Sequence, residues 1–251
     1  MEREKIKGSL NFCADSYNKN SKYYDKTYFF LNDYKGEADF IKKILRLNKI
    51  KLNSAKFLDL GCGTGNLFFY LPQLKKVGID LSSGMIEGAR IKNIPRSSFF
   101  IQDISKLNLR HKFDIIYIST FLIQTFKSFK EIEKFLDKIK INLSEEGIII
   151  FSWINEEEYK KKYNDGNFQF ELKDGWNCLG ESYFRNKKRC IKLEFIKGKK
   201  IKIKSYAEYL IFSEKYLEEI SRKLNMNVQI YSGKRNGLKE EYHKWAILKR
   251  P

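Results

Sequence analysis

Short apolar runs alternate with amphipathic ones through the middle of the chain, the pattern of βαβ units that build a parallel sheet. Lys56 to Leu60, Lys76 to Ile79, Ser98 to Gln102, Phe113 to Ile118 and Gly147 to Trp153 read as strands. Two runs, Asp114 to Ile118 and Gly147 to Phe151, are apolar throughout after their first residue, which predicts strands covered on both faces. Between the strands lie stripes with helical spacing. Phe40, Ile41, Ile44, Leu45 and Leu47 form one ahead of the first strand, and Ile132, Phe135, Leu136 and Ile139 form another before the fifth. Both read as core packing.

The pattern changes between Asn155 and Phe212. Charged and apolar residues alternate from Arg189 to Ile196 and from Ile201 to Tyr206, which predicts antiparallel strands with one wet face, turned at Lys197-Gly198-Lys199. Ser213 then caps a helix whose apolar face is Tyr216, Leu217, Ile220 and Leu224, and Val228 to Tyr231 and Trp245 to Leu248 read as two last strands. The expected organisation is one core, residues 1–154 and 213–251, with a β-rich cap inserted at 155–212.

Length agrees, since 251 residues suit one well-buried α/β core with an insertion rather than two full domains. A hydrophobic fraction of 42%, with 20 Phe and 15 Tyr, supplies ample apolar area for that core. No stretch approaches the roughly 20 uncharged apolar residues that span a bilayer. The opening Met1-Glu2-Arg3-Glu4-Lys5 has no apolar run behind it to serve as a signal peptide, so a cytoplasmic protein without membrane attachment is expected. Cys13, Cys62, Cys178 and Cys190 contain no Cys-x-x-Cys pair and no histidine at ligand spacing, so neither a metal site nor a disulfide scaffold is expected. The formal net charge of +18 raises polyanions as partners, but the accompanying richness in Lys, Ile, Asn, Phe and Tyr is also what an AT-biased genome produces. Charge alone does not decide among compositional bias, an acidic small substrate and RNA.

The chemistry concentrates in Phe57-Leu58-Asp59-Leu60-Gly61-Cys62-Gly63-Thr64-Gly65-Asn66, between an apolar strand and an expected helix. Alternate glycines let the backbone turn tightly and approach a ligand at a distance any Cβ would prevent. A P-loop needs Gly-Lys-Ser/Thr at its end, which is absent, and a dinucleotide fingerprint needs a small residue where Asn66 stands. A merely structural turn has no need of Asp59 inside the strand.

This loop resembles the first motif of class I S-adenosylmethionine-dependent methyltransferases, and the order of later segments agrees over roughly residues 34–153. The second strand ends in Gly78-Ile79-Asp80-Leu81-Ser82-Ser83-Gly84-Met85, the third in Phe100-Ile101-Gln102-Asp103-Ile104, the fourth in Tyr117-Ile118-Ser119, and Leu143-Ser144-Glu145-Glu146-Gly147 forms the turn before the fifth. The resemblance implies a Rossmann-like α/β fold, with a mostly parallel seven-stranded sheet whose last strand is antiparallel, and helices within residues 1–50 over the cofactor site. It implies S-adenosylmethionine as cofactor and S-adenosylhomocysteine as product. Asp59, Gly61, Cys62, Gly63, Gly65, Asn66 and Ser119 would line the methionine end, Asp80 would hold the ribose, and Leu81, Met85 and Ile104 would sandwich adenine beside Gln102 and Asp103.

Tyr17, Ser21, Tyr24 and Asp25, followed by Asp33-Tyr34 and Glu37, are similar to a narrower set of small-molecule methyltransferases, such as those that N-methylate nucleotide-linked amino sugars; Ala is commoner than Ser at position 21 in that pattern. A purely packing role for these tyrosines stays open. Tyr17 would close over the methionine end, where an aromatic face favours the sulfonium charge.

Tyr17 and His243 are the catalytic candidates, His111 falling in a polar turn, and Tyr24, Gln124 and Trp153 are the substrate-contact candidates at the sheet's C-terminal edge. The implied acceptor is a small anionic metabolite, met by Lys187-Lys188-Arg189 of the cap and methylated at N or O by a monomer or homodimer. Two alternatives remain open. One is an RNA methyltransferase, motivated by the basic cap and its Tyr183, Phe184, Phe195 and Tyr206, although Ser119-Thr120-Phe121-Leu122 is not the sequence type that methylates base amino groups. The other is a cofactor-binding partner subunit that has lost catalysis.

Overall fold

The computed structural model describes residues 17–18, 21–27, 33–155, 166–172, 175–186, 188–232 and 243–251. Its main sheet has seven strands in the order β10-β11-β5-β4-β1-β2-β3. The parallel strands are β1 (Lys56–Leu60), β2 (Lys75–Asp80), β3 (Ser97–Ile101), β4 (Phe113–Ile118) and β5 (Leu143–Ile154). The last strand, β11 (His243–Lys249), runs antiparallel between β5 and β10 (Asn227–Ser232). The class, the seven strands and the antiparallel last strand are those the resemblance implies.

Alternation across the central strands explains their apolar runs. Leu58, Leu60, Ile116, Ile118, Ile149 and Phe151 point into a core with helices α3 (Phe129–Lys140) and α4 (Glu214–Lys223). Phe57, Ile115, Tyr117, Ile148 and Ile150 point the other way, into a core with α1 (Tyr34–Leu47) and α2 (Ser83–Ile91). Strands covered on both faces have no wet side to require polar residues.

Helix starts are set by side-chain caps. Asp33 accepts from Gly36 N, Ser82 from Met85 N, Ser128 from Glu131 N and Ser213 from Tyr216 N, each satisfying a donor that the helix leaves orphaned. The predicted α1 stripe is shifted: Ala38, Ile41, Ile44 and Leu45 are buried, whereas Leu47 is 61% exposed in the last turn. The helix expected after the glycine loop is only a 3-10 turn, Asn66–Tyr70. Pro72 explains this, because a proline disfavours helical backbone at the residue before it.

Between β5 and α4 the chain builds a second, antiparallel sheet in the order β6-β7-β8-β9. Its strands are Gly166–Glu171, Trp176–Arg185, Lys188–Lys197 and Lys200–Leu210. The predicted turn at Gly198 joins β8 to β9, with φ +65° at the glycine. The sequence pattern gave no strand for β6 or β7. No helix among the described residues is long and apolar enough to cross a membrane.

Candidate functional site

The C-terminal ends of β1, β2, β3 and β4 share one edge of the main sheet. After β1, Gly61 and Gly63 adopt φ +81° and +53°, the left-handed region that glycine enters without strain. A Cβ on Gly61 would lie 2.7 Å from Leu122 Cδ2, whereas one on Gly63 would meet only Tyr24, at 3.9 Å. Gly63 is therefore the open point of the cradle. The loop is pinned to β2 by Gly61 N and Cys62 N, which donate to Ile79 O at 2.7 and 3.1 Å. Asp80 ties it further: Oδ2 accepts from Gly63 N and Oδ1 from Ser82 N, both at 2.9 Å. Burial raises the Asp80 carboxyl above its ordinary range, against the pull of these backbone bonds.

Beneath the loop, Asp59 is 1% exposed and its Oδ1 has no hydrogen-bond partner. Burial, followed by the neighbouring Glu37 and Asp80 carboxylates, pushes its carboxyl well above the ordinary range. Glu37 reaches in from α1, accepting from Thr120 Oγ1 at 2.9 Å and from Tyr117 OH at 3.3 Å. Among the described residues no basic side chain pairs with Asp59 or Asp80. Buried negative charge with an orphaned oxygen beside bare backbone suits a cationic ligand.

An N-terminal segment closes over this cradle. Residues 21–27 are helical, and Tyr17 and Tyr24 meet edge to face, with centroids 5.9 Å apart. Asp25 anchors the segment: Oδ1 accepts from Thr64 Oγ1 at 2.6 Å and Asn66 Nδ2 at 2.9 Å, and Oδ2 pairs with Lys92 Nζ at 2.7 Å. Burial works to raise the Asp25 carboxyl, but the Lys92, Thr64 and Asn66 bonds outweigh it and hold the group below its ordinary value. Asn18 Oδ1 accepts from Ser82 Oγ at 2.7 Å and Gly84 N at 3.2 Å, docking the same segment on the start of α2.

Asp59, Gly61, Cys62, Gly63, Gly65, Asp80, Leu81, Ser119, Tyr17 and Tyr24 thus converge at the strand ends. Ser119 N donates to Leu60 O at 2.9 Å. Gln102 N bonds Asp80 O at 3.0 Å, and Asp103 Oδ1 caps its own turn through Ser105 N at 2.9 Å. Met85 and Ile104 are 2% and 6% exposed, packed beside the same edge.

Four expectations need correction or fall elsewhere. Gln124 is not a substrate contact: it is fully buried, Nε2 donating to Ile154 O at 3.2 Å and Leu210 O at 2.6 Å while Oε1 accepts from Ile154 N at 2.8 Å. Trp153 is likewise buried, stacked on Phe212 at 5.9 Å with Nε1 donating to Phe212 O at 3.3 Å. Both tie β5 to the end of β9 rather than facing the cradle. The Asn66 side chain is engaged by Asp25 and by Lys92 Nζ at 2.6 Å, so it anchors the N-terminal segment. His243 opens β11 opposite Ile154, and its side chain lies outside the described residues. His111 is exposed before β4, at the far end of that strand from Ser119.

Glu37 and Lys92 were missed as site residues. The Asp33-Tyr34 and Glu37 spacing carried a signal for the first, since a carboxylate on the buried stripe of an amphipathic helix needs a partner. Nothing local marks Lys92, which meets Asp25 only through the fold.

Fold and cradle together define a protein of the class I methyltransferase type, and S-adenosylmethionine, with its ammonium and sulfonium, fits the buried carboxylates and the open Gly63. The chain belongs to the methyltransferase domain family, matched over residues 51–208. Malonyl-[acyl-carrier protein] O-methyltransferase from Bacillus anthracis is 29% identical over 142 residues, covering 53% of this chain and 50% of the relative. The chain spans about half the length of the curated relatives it matches. An S-adenosylmethionine-dependent methyltransferase from Clostridium acetobutylicum ATCC 824 superposes with TM-score 0.77 at 25% identity, covering 93% of this chain and 98% of that one. An amino pentose methyltransferase from Micromonospora echinaspora, 15% identical, shares the fold with TM-score 0.70 over 87% of this chain and 92% of its own.

Proposed function

We propose that this chain transfers a methyl group from S-adenosylmethionine to a nitrogen or oxygen of a small anionic acceptor, such as a nucleotide-linked sugar or phosphorylated metabolite. Asp59 carries the reading. A carboxylate that is 1% exposed with an orphaned oxygen is unfavourable in the empty protein and becomes favourable beside a bound ammonium. Asp59 and Glu37 hold the methionine end, the Gly61–Gly65 backbone lies along it, and Asp80 receives the ribose hydroxyls.

S-adenosylmethionine brings a methyl group already activated on sulfur, so the protein needs chiefly to align an acceptor and exclude water. Tyr17, Tyr24 and the segment anchored by Asp25 close the cofactor side, and the second sheet covers the acceptor side. Against an RNA acceptor, three lysines on the outer face of that sheet are neutralised in cross-strand pairs: Lys192 with Glu181 at 2.8 Å, Lys204 with Glu194 at 3.1 Å and Lys188 with Glu208 at 3.1 Å. Those lysines are not a ready phosphate-backbone footprint.

Transfer of radiolabelled methyl from S-adenosylmethionine into a cell extract, fractionated by size and nuclease sensitivity, tests the reading. Label in small anionic metabolites is the expected result. Nuclease-sensitive label, or none, would overturn it.

A further inference from the structure

The parallel strands begin along the edge of the main sheet opposite the one that holds the cradle, and cations crowd that edge. Lys56 opens β1 and Lys75 opens β2, directly opposite one another in the ladder, where like charges repel. Arg96 precedes β3, Lys112 precedes β4, and Lys49 and Lys51 lie between α1 and β1. All are exposed. Lys76, buried beside them, feels that charge: its amine is pulled down to about 8, first by burial and then by Arg96.

Where these cations have partners, the partners are neutral. Arg96 Nη2 donates to Asn53 O at 2.9 Å, and Lys112 Nζ donates to Ile141 O. The antiparallel β11 ends at the same edge, with Lys249 Nζ 3.5 Å from Asn48 Oδ1; beyond it Arg250 donates to Ser144 O at 2.7 Å and Lys140 O at 3.2 Å. Among the described residues none of these cations is ion-paired, while Asp137 and Glu133 of α3 are taken by Lys140 and Lys223. Asp114 is consumed by Lys56 N at 2.8 Å and Ser144 Oγ at 2.7 Å. Glu145 and Glu146, exposed at the start of β5, offset only part of the charge.

Two aliphatic side chains stand out from the same edge: Leu47, 61% exposed at the end of α1, and Ile141, 60% exposed just after α3. Lys249 and Arg250 link them, since one reaches Asn48, next to Leu47, and the other reaches Lys140, next to Ile141. Exposed aliphatic groups among unpaired cations suit a surface that is anionic outside and apolar beneath. They offer nucleic-acid bases no ring to stack on, which favours lipid over RNA.

We propose that this edge docks the protein on an anionic lipid surface, the cations meeting headgroups while Leu47 and Ile141 enter the acyl boundary. Such a peripheral contact needs no membrane-spanning run. The cradle, at the other ends of the same strands, then faces away from the lipid.

The test is cosedimentation of the full chain with vesicles of phosphatidylcholine alone or mixed with phosphatidylserine, at physiological salt. Wild type should bind the mixed vesicles and not the neutral ones. Each cation near an anionic surface is worth about fivefold in affinity, so the Lys51→Gln, Lys56→Gln, Lys75→Gln triple variant should lose roughly a hundredfold. A triple variant of equal net charge on the second sheet, Lys192→Gln, Lys197→Gln and Lys199→Gln, should bind as wild type, because salt screens charges far from the lipid. The Leu47→Gln, Ile141→Gln double variant keeps every charge and should still bind roughly three- to tenfold more weakly, having lost apolar insertion. Thermal melting at the wild-type temperature checks that each variant is folded. Absence of a phosphatidylserine preference in wild type, or equal losses in the two lysine triples, would overturn the docking edge. Wild-type binding by the Leu47→Gln, Ile141→Gln variant, or binding of a random-sequence RNA without binding of the mixed vesicles, would overturn the assignment to lipid.

Discussion

Replacing Asp59 with Asn should make the empty protein more stable and the cofactor complex weaker. Asp59 Oδ1 is buried without a partner, and Glu37 and Asp80 add repulsion. An unsatisfied buried acceptor costs about 1–3 kcal/mol, and a neutral amide of the same shape removes the repulsion from Glu37 and Asp80. A gain of about 1–2 kcal/mol corresponds to roughly 2–8 °C in Tm for a chain of this size. The gain depends on pH with a definite sign. Asp59 has its folded pKa raised, so the folded state holds that proton more tightly than the unfolded one, and stability falls as pH rises from the ordinary carboxylate value through the raised one. The advantage of Asp59→Asn should therefore be largest near pH 8 and fade towards pH 5. S-adenosylhomocysteine at about 100 times its Kd stabilises by about 2.7 kcal/mol. Losing a charge-assisted buried contact of about 1.5–3 kcal/mol weakens Kd roughly 10–150-fold and leaves at most about 1.4 kcal/mol at the same concentration. Differential scanning fluorimetry at both pH values, with and without S-adenosylhomocysteine, measures both quantities. An Asp59→Asn protein that melts no higher than wild type at pH 8, or keeps the full cofactor shift, would refute the argument.

Asp25→Ala removes the Lys92 ion pair and two hydrogen bonds from a partly exposed carboxylate, so S-adenosylhomocysteine affinity by calorimetry should fall roughly five- to tenfold; an unchanged Kd would show that the anchored segment does not hold the cofactor. Gln124→Ala leaves buried backbone groups of Ile154 and Leu210 unpaired and should lower stability by about 2–4 kcal/mol with cofactor Kd unchanged, whereas a KM effect without loss of Tm would restore a substrate role. Lys76 is 2% exposed, donates to Leu71 O and Leu74 O, and is pulled down to about 8, first by burial and then by Arg96. Its folded pKa lies below the unfolded one, so wild-type stability should rise with pH between about 8 and 10.5, by up to about 1.4 kcal/mol per unit more than in Lys76→Met, as read by urea denaturation across that range.

What the sequence by itself determined is what local physics writes locally. Continuous apolar runs gave β4 and β5, since strands covered on both faces have no wet side that calls for polar residues. Asp59, the alternating glycines and Asp80 gave the cradle, because backbone conformation and close approach restrict which residues can stand there. Ser213 and the Gly198 turn were legible for the same reason. The tertiary structure decided everything that depends on which distant residues meet. Strands β6 and β7 hid because Gly180 and the mixed Gly166–Glu171 segment pack against partners a local window does not contain, with a Cβ on Gly180 lying 2.1 Å from the Phe168 ring. Gln124 and Trp153 stand at the sheet edge where open α/β folds in general bind ligands, yet the chain folds the end of β9 back onto them and consumes their polar groups. Arg189 and Lys188 are adjacent in sequence and alike in charge, but the two-residue period of a strand sends one inward beside Phe184 and Tyr209 and the other outward to Glu208.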